Sequence, residues 1–239
     1  MTAADLEVLL SVQDLDTSLD QHHRRRAGLQ ERAELGAIDA RLASAGQRRT
    51  LASDRRDQVA GRQEKLEQDL SAAESRRAEI NKRLYGGTVS ATRDLQAMAA
   101  EVETLTTRAS GLEDLVYQVM EEREPFDAEV AEIDREIQHL RDARAEIEGR
   151  LVAAEIEIDD EIEQVTGQRA EAVAGVPADL LTTYERLRAK LGGVGAARLV
   201  GPRCSGCHLT LPATELDRLR KGSPEAVVFC DQCGRILVR

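Results

Sequence analysis

The feature that most constrains the fold is a hydrophobic repeat between Leu95 and Val165. Apolar side chains return at alternating steps of three and four residues, and Arg123 and Arg144 interrupt the series. The apolar positions are Leu95, Met98, Val102, Leu105, Ala109, Leu112, Val116, Val119, Phe126, Val130, Ile133, Ile137, Leu140, Ile147, Leu151, Ala154, Ile158, Ile162 and Val165. A 3.5-residue spacing over this length is typical of a coiled coil. It predicts a helix of about 105 Å whose apolar seam needs a partner helix.

Residues 5–84 are the natural partner for this seam. They carry a second, weaker repeat that includes Leu6, Leu9, Val12, Leu35, Ile38, Leu42, Val59, Leu66, Leu70, Ile80 and Leu84. Residues 1–85 hold 15 basic and 15 acidic side chains, whereas residues 86–175 hold 8 basic and 23 acidic ones. Arginines of the first arm can therefore lie along the seam and pair with the acidic second arm. Glycines disfavour a helix, so we expect bending at Gly28, Gly36, Gly46 and Gly61.

One short segment, residues 85–92, separates the two repeats. Gly86 and Gly87 are expected to end the first helix, and Ser90 or Thr92 can cap the second. A connection this short returns the chain antiparallel to itself. The sequence predicts a mainly α protein built on a long antiparallel coiled-coil helical hairpin, with its apex at about residues 85–93. Pro125 is expected to kink the second arm.

The heptad pattern stops after Ala172, and residues 175–177 (Gly-Val-Pro) predict a hinge. Residues 178–191 then show the spacing of a short amphipathic helix. Short β-rich segments follow at 197–200, 209–211, 227–229 and 235–238, with a helical turn expected at 212–221. We therefore predict two domains. Residues 1–175 form the coiled-coil hairpin, and residues 176–239 form the short helix and a small β-domain.

Four cysteines in this β-domain form two CxxC pairs, with 22 residues between the pairs. They are Cys204, Cys207, Cys230 and Cys233. Each pair puts two sulfurs on one tight turn, and two such turns complete a tetrahedral site for one structural Zn²⁺. A redox dithiol is the weaker alternative, because a thioredoxin-type site needs one CxxC in a βαβ context. His208 as a ligand is also less favoured. The sequence thus predicts a C4 zinc ribbon.

Other chemistry is not indicated by the sequence. It contains no GxxxxGK[ST], GxGxxG or GxSxG motif, so we predict no catalytic residue, no further cofactor site, no small-molecule substrate and no enzyme activity. No apolar run reaches the length of a membrane span, and the first residues do not resemble a secretory signal. With cysteines suited to metal, these features lead us to expect a cytoplasmic protein without membrane contact.

The ribbon carries basic side chains that either form a nucleic-acid patch or only keep a small domain soluble. They are Arg203, Arg218, Arg220, Lys221, Arg235 and Arg239. Tyr184 and Phe229 are its only aromatic residues, which makes a poor base-stacking platform. A set of apolar residues is larger than so small a ribbon is expected to bury. Some of them must form its core, and the others are interpreted as a protein-binding surface. This set comprises Leu209, Leu211, Leu216, Leu219, Val228 and Ile236.

Nearly the whole chain resembles a bacterial family with a long N-terminal coiled-coil hairpin and a C-terminal C4-type zinc ribbon. The resemblance is carried by Tyr85-Gly86-Gly87 leading to Asp94-Leu95-Gln96, by Leu209 to Pro212 after the first CxxC, and by the ending Cys230-Asp-Gln-Cys233-Gly-Arg-Ile-Leu. The family typically has an aromatic residue after that Ile-Leu, where this chain has Val238. Relatives include flagellar and type III secretion zinc-ribbon proteins that act as adaptors. The family is also described as nucleic-acid binding.

Taken together, the sequence and the resemblance predict a non-enzymatic cytoplasmic adaptor or scaffold. It would bind a partner protein through its zinc ribbon and coiled coil. The alternative is a nucleic-acid-binding or transcription-associated zinc-ribbon protein. The strongly acidic second arm would repel a phosphate backbone at short range, which favours the protein partner.

Overall fold

A computed structural model describes residues 2–87, 89–223 and 225–239. Thr88, which belongs to the predicted apex, lies outside the described residues, as do Met1 and Pro224 in the two predicted domains. The helices are α1 Ala3–Ala27, α2 Gln30–Tyr85, α3 Thr92–Val173, α4 Ala178–Lys190 and α5 Ala213–Lys221. The strands are β1 Ala196–Val200, β2 Arg203–Cys204, β3 Val228–Phe229 and β4 Ile236–Val238. The predicted fold class, a long helical hairpin followed by a small β region, is confirmed.

The chain divides into two compact units. One unit joins Met1–Ala33 to Ile147–Arg239 and contains all four strands; the other is Glu34–Glu146. Helices α2 and α3 each contribute to both units. Every contact described below lies within one unit.

In the Glu34–Glu146 unit, α2 and α3 pack through a seam of unequal side chains. The buried cluster comprises Ala45, Ala52, Val130, Ile133, Ile137 and Leu140, with Leu42 packed against it. Small alanines of α2 thus face large aliphatic residues of α3, which allows the two backbones to approach each other. The four α3 residues of this cluster belong to the predicted heptad series, because that stripe faces the partner helix.

The ion pairs between α2 and α3 in the same unit show the relative direction of the two helices. The guanidinium groups of α2 contact carboxylates of α3 in the pairs Arg48–Glu136 (2.6 Å), Arg49–Asp134 (2.5 Å), Arg62–Glu122 (2.9 Å) and Arg76–Glu101 (3.2 Å). Residue numbers rise along α2 as they fall along α3, so the helices are antiparallel. The predicted pairing of arginines of the first arm with carboxylates of the acidic second arm is therefore present in this unit.

The first arm differs from the prediction because it is two helices. Helix α1 begins with a capping box, in which Thr2 and Asp5 exchange side-chain hydrogen bonds with each other's amides, and it ends at Ala27. The amide of the C-cap residue Gly28 donates to the carbonyl of Arg24 at 2.9 Å. Gly36, Gly46 and Gly61 remain inside α2, so only the first of the four glycines coincides with a helix end. Ion pairs with α3 continue on both sides of this break: Arg26 contacts Asp159 at 2.7 Å, and Arg32 contacts Glu155.

Pro125 lies inside α3, which continues without a break from Thr92 to Val173. Proline removes one backbone donor but need not end a helix whose side chains are held by a partner. Along the described ranges, no helix combines the length and the hydropathy needed to cross a membrane.

The four strands form one sheet in the order β2-β1-β4-β3, in which β1 and β4 are parallel and the other pairs are antiparallel. Successive residues of β4 point to opposite faces. Ile236 and Val238 join a core with Leu6, Leu9 and Val12 of α1 and with residues of α4, whereas Leu237 packs with the buried cysteines and Leu219 of α5. One face of the sheet therefore packs on α1 and α4, and the other face packs on the cysteine cluster.

Three of the four predicted β segments match strands of this sheet, and the fourth does not. Residues 209–211 were expected to form a strand, but Thr210 makes only an isolated bridge to Arg203. Residues 203–204 form β2 instead, because the register Leu199 with Cys204 places them opposite the end of β1. The predicted helices at 178–191 and 212–221 correspond to α4 and α5.

Candidate metal centre

The two CxxC segments adopt closely similar turns. In the first turn the amide of His208 donates to the carbonyl of Cys204 at 2.8 Å, and in the second the amide of Gly234 donates to that of Cys230 at 2.7 Å. The donor residue has a left-handed backbone in both turns, with φ of 61° at His208 and 73° at Gly234. The turn therefore requires a positive φ directly after the second cysteine. Glycine provides this conformation at low cost, whereas His208 adopts it against the usual preference of an L-residue.

Gly206 lies in the first CxxC turn where the space beside its backbone is filled by other residues. A Cβ at this position would lie 2.6 Å from Cδ of Arg235 and 2.9 Å from Cβ of Ala197. The missing side chain thus leaves room for the arginine and for β1 to approach the first turn.

The four sulfurs converge on one point. Sγ of Cys204 lies 4.0 Å from Sγ of Cys233, and Sγ of Cys207 lies 4.0 Å from Sγ of Cys230. All four ligand atoms lie within 4.8 Å of one another. A tetrahedral zinc with Zn–S bonds of about 2.3 Å requires sulfurs about 3.8 Å apart. The donor set and its spacing therefore fit a single zinc held by Cys204, Cys207, Cys230 and Cys233.

Burial and hydrogen bonding give the thiols different acidities. Burial raises the pKa of Cys204 and raises the pKa of Cys230 to about 12. Burial also acts on Cys233, but hydrogen bonds with the backbone and side chain of Arg235, and then with Cys230 and Cys207, together outweigh it and lower the pKa to about 7. Zinc binds thiolates, so it displaces protons from Cys204 and Cys230 when it binds at neutral pH. Its affinity must then fall as the pH is lowered.

Arg235 connects the second CxxC turn to the end of α4. Its guanidinium donates to the carbonyl oxygens of Val194 at 3.0 Å and Leu191 at 3.2 Å. The spacing of the cysteines did not predict this role, because Val194 and Leu191 lie about 40 residues before Arg235 in the sequence. His208 is not part of the ligand group that the described residues form.

The predicted apolar binding surface of the ribbon is largely wrong. Leu211, Leu219 and Ile236 are buried, and Leu216 and Val228 pack against the cysteine core. Leu209 alone of the six is well exposed, at 51%. The prediction failed because the sheet has a core on each face and needs these residues for both.

A buried polar cluster on α1 was not predicted. The Asp16 carboxylate accepts hydrogen bonds from Arg169 of α3 at 2.6 Å and from the hydroxyl of Tyr184 of α4 at 2.6 Å. One turn earlier, Oε1 of Gln13 accepts from the amides of Gly195 at 2.7 Å and Ala196 at 3.2 Å. Both polar residues continue the stripe that Leu6 and Leu9 begin, and this position was the signal available in the sequence. They join the hairpin helices to the first strand of the ribbon.

The fold and the four-sulfur centre define a class of protein: a coiled-coil helical hairpin that carries a C4-type zinc ribbon with one structural zinc. The chain belongs to the family of the CT398-like coiled-coil hairpin domain, whose model matches residues 12–192. The model of the C4-type zinc ribbon domain matches residues 203–237. This ribbon match and the spacing of the sulfurs agree on zinc as the metal.

Similar proteins occur in several bacteria. An uncharacterised protein of Mycobacterium tuberculosis is 31% identical over 231 residues, which cover 97% of this chain and 94% of that protein. A solved structure from Mycobacterium smegmatis aligns with a TM-score of 0.85 at 26% identity over 100% of this chain and 99% of that one. The structure of CT398 from Chlamydia trachomatis aligns with a TM-score of 0.65 at 18% identity over 98% and 97% of the two chains, which is a likeness of fold alone.

Proposed function

We propose that this protein is a non-enzymatic cytoplasmic adaptor that binds a partner protein through its zinc ribbon and adjoining helices. The observation that carries the proposal is the state of the basic side chains of the ribbon. A nucleic-acid surface needs cations that are free to contact phosphates, because phosphate neutralisation supplies most of the affinity. In this ribbon most of the cations already have partners.

Two of the six predicted patch residues are paired with carboxylates. Arg218 contacts Glu215 at 2.5 Å and Asp231 at 3.6 Å, and Lys221 contacts Asp217 at 2.6 Å. Two more are fixed by carbonyl oxygens: Arg235 as described above, and Arg239, which donates to the carbonyls of Leu219, Gly222 and Ser223. Arg203 and Arg220 are the patch residues without a carboxylate or carbonyl partner of their side chains among the described residues. Two such cations supply few phosphate contacts.

The zinc centre supports a structural rather than a catalytic role. Four thiolate ligands complete a tetrahedral coordination sphere, so no position is left for a water or a substrate. The metal then serves to hold the two CxxC turns together, and through them the sheet. A rigid ribbon that is joined to helices is suited to present a surface to another protein.

The test uses the full-length zinc-loaded protein with a photo-crosslinking amino acid at exposed ribbon positions, introduced in place of Leu209 or Phe229, in the native host. A position far along α3, Glu113, serves as the control. We expect a defined protein adduct that survives nuclease treatment at the ribbon positions and is absent at the control. Adducts lost with nuclease would contradict the proposal. So would sub-micromolar binding to mixed DNA and RNA at about 150 mM salt with a steep salt dependence.

A further inference from the structure

A groove lies between the first turns of α1 and the ribbon. Its volume is about 590 Å³, within the range of about 300–1,000 Å³ that is usual for ligand sites. The apolar part of its lining comes from Ala3, Ala4 and Leu6 of α1, from Leu199 and Val238 of the sheet and from Leu219 of α5. Both structural elements of the proposed adaptor, hairpin and ribbon, thus contribute to one surface.

The charged residues of the groove are not equivalent. Glu7 lies on one wall, but its carboxylate is held by the guanidinium of Arg198 through two hydrogen bonds of 3.0 and 2.6 Å. Arg239 is held by carbonyl oxygens at the end of α5. Arg220 is exposed and has no carboxylate partner in the part of the chain that the structure describes. The groove therefore combines an apolar floor with an uncompensated positive charge at its edge.

We propose that this groove binds an amphipathic segment of a partner protein, with apolar side chains on one face and acidic side chains beside them. The inference rests on the adaptor function and assigns its binding surface and the chemistry of its partner. Apolar side chains of the segment enter between α1 and the ribbon, as anchors spaced along a helix do in other grooves. A carboxylate at the flank of the segment meets Arg220. The charge gives orientation and selectivity, whereas the apolar contact gives most of the affinity.

The test is fluorescence anisotropy on the full-length zinc-loaded protein with three labelled helical peptides of equal length. The first has a leucine-rich face flanked by glutamates, the second has the same face flanked by lysines, and the third has the glutamates but serines in place of the leucines. We expect the first peptide to bind at least about tenfold more tightly than either of the others. Equal binding of the first two, or no binding of the first, would overturn the proposal.

Two variants locate the site. Ala4→Gln places a longer side chain in the groove without altering a buried residue, and Arg220→Glu reverses the free charge. Each substitution is expected to weaken binding of the first peptide by at least about tenfold. The matched controls are Ala99→Gln, at an exposed helical alanine of the other unit, and Arg203→Glu, at an exposed arginine of the ribbon outside the groove. Equal losses in the variants and their controls would refute the assignment.

Two further outcomes separate this inference from the proposed function. If Ala4→Gln and Arg220→Glu leave the protein adducts of the crosslinking experiment unchanged, the adaptor function stands and the groove is not its binding surface. If the wild-type protein forms a concentration-dependent oligomer in sedimentation that Ala4→Gln abolishes, a second copy occupies the groove and the proposal of a different partner is wrong.

Discussion

The carboxylate of Asp16 in α1 is almost inaccessible to water, since its side chain is 3% exposed. Arg169 and Tyr184 bind it from two other helices, and Nε of Arg188 lies 3.5 Å away. Burial and this carboxylate raise the pKa of the Tyr184 hydroxyl, which therefore remains a donor. Removing one member of a buried, paired group destabilises the folded state, because the remaining members stay buried without a partner.

We expect Asp16→Asn to destabilise the protein by about 2–3 kcal/mol, because it removes the buried charge that accepts from Arg169 and Tyr184. Arg169 then keeps Glu185 as its carboxylate partner. Urea unfolding followed by circular dichroism measures the loss. Asp20→Asn is the matched control. Its carboxylate is 32% exposed and binds Arg188 at 2.8 Å, so we expect a loss of at most about 1 kcal/mol. Equal effects of the two substitutions would contradict the role of burial.

Gly195 and Gly46 allow a second comparison of single residues. A Cβ on Gly195 would lie 2.8 Å from the carbonyl oxygen of Tyr184 and 3.0 Å from the amide nitrogen of Arg188, both backbone atoms. We expect Gly195→Ala to destabilise the protein by about 1–3 kcal/mol through overpacking. A Cβ on Gly46 meets nothing within 4 Å, and Gly46→Ala should stabilise α2 by up to about 1 kcal/mol. Thermal unfolding of both variants tests the opposite signs, and a stabilised Gly195→Ala would refute the close approach.

At the scale of helices, the Arg49–Asp134 pair tests whether charge specifies the hairpin. A single reversal, Arg49→Asp or Asp134→Arg, should lower the thermal midpoint, and the double reversal should restore most of it because attraction is recovered. High salt should reduce the differences, since both side chains are exposed. If the double variant is as unstable as the sum of the two single ones, the pair does not contribute to the packing of α2 on α3.

The hydrogen bond from Arg49 lowers the pKa of Asp134 below its usual value. A carboxyl group with a lowered pKa stabilises the folded state above its usual pKa of about 3.9, and this contribution is lost as the pH falls below that value. The difference between the wild type and the Asp134→Asn variant should therefore shrink in acid. This sign follows from the direction of the pKa shift alone.

Elements with a repeated local pattern could be predicted from the sequence, and elements that depend on one distant contact could not. The seam of α3 follows from heptads, since every buried residue from Val130 to Leu140 lies on them. The metal centre follows from CxxC spacing, because each turn is local. The sequence did not distinguish Gly28, where the helix ends, from Gly36, Gly46 and Gly61, which remain inside α2. The burial of Gln13 and Asp16 depends on α4 and β1, which lie far away in the sequence.

For the molecule as a whole, the shared sheet links the metal to the N-terminal helix. Removing zinc should open the cysteine core, and Ala197 and Leu237 of that core alternate along β1 and β4 with residues that pack on α1. We expect hydrogen exchange after chelation to show loss of protection in β1 and β4 and also in Leu6–Val12. Protection at Val130–Leu140 should persist, because that cluster contains no residue of the ribbon. Restoring zinc is the control, and a fully protected ribbon without metal would contradict the expectation.

The position of β4 in the middle of the sheet has a consequence for biosynthesis. β1 and β3 are made first, but they are not neighbours, and they are joined only when the later strand enters between them. At about 5–20 residues per second, the ribosome needs on the order of seconds to translate the segment between the first CxxC turn and β4. During that interval Cys204 and Cys207 lack the other two ligands of the site, Cys230 and Cys233. Leu6, Leu9 and Val12 of α1 are translated earlier and share a core with Ile236 and Val238 of β4, so two segments that lie far apart along the chain become ordered together.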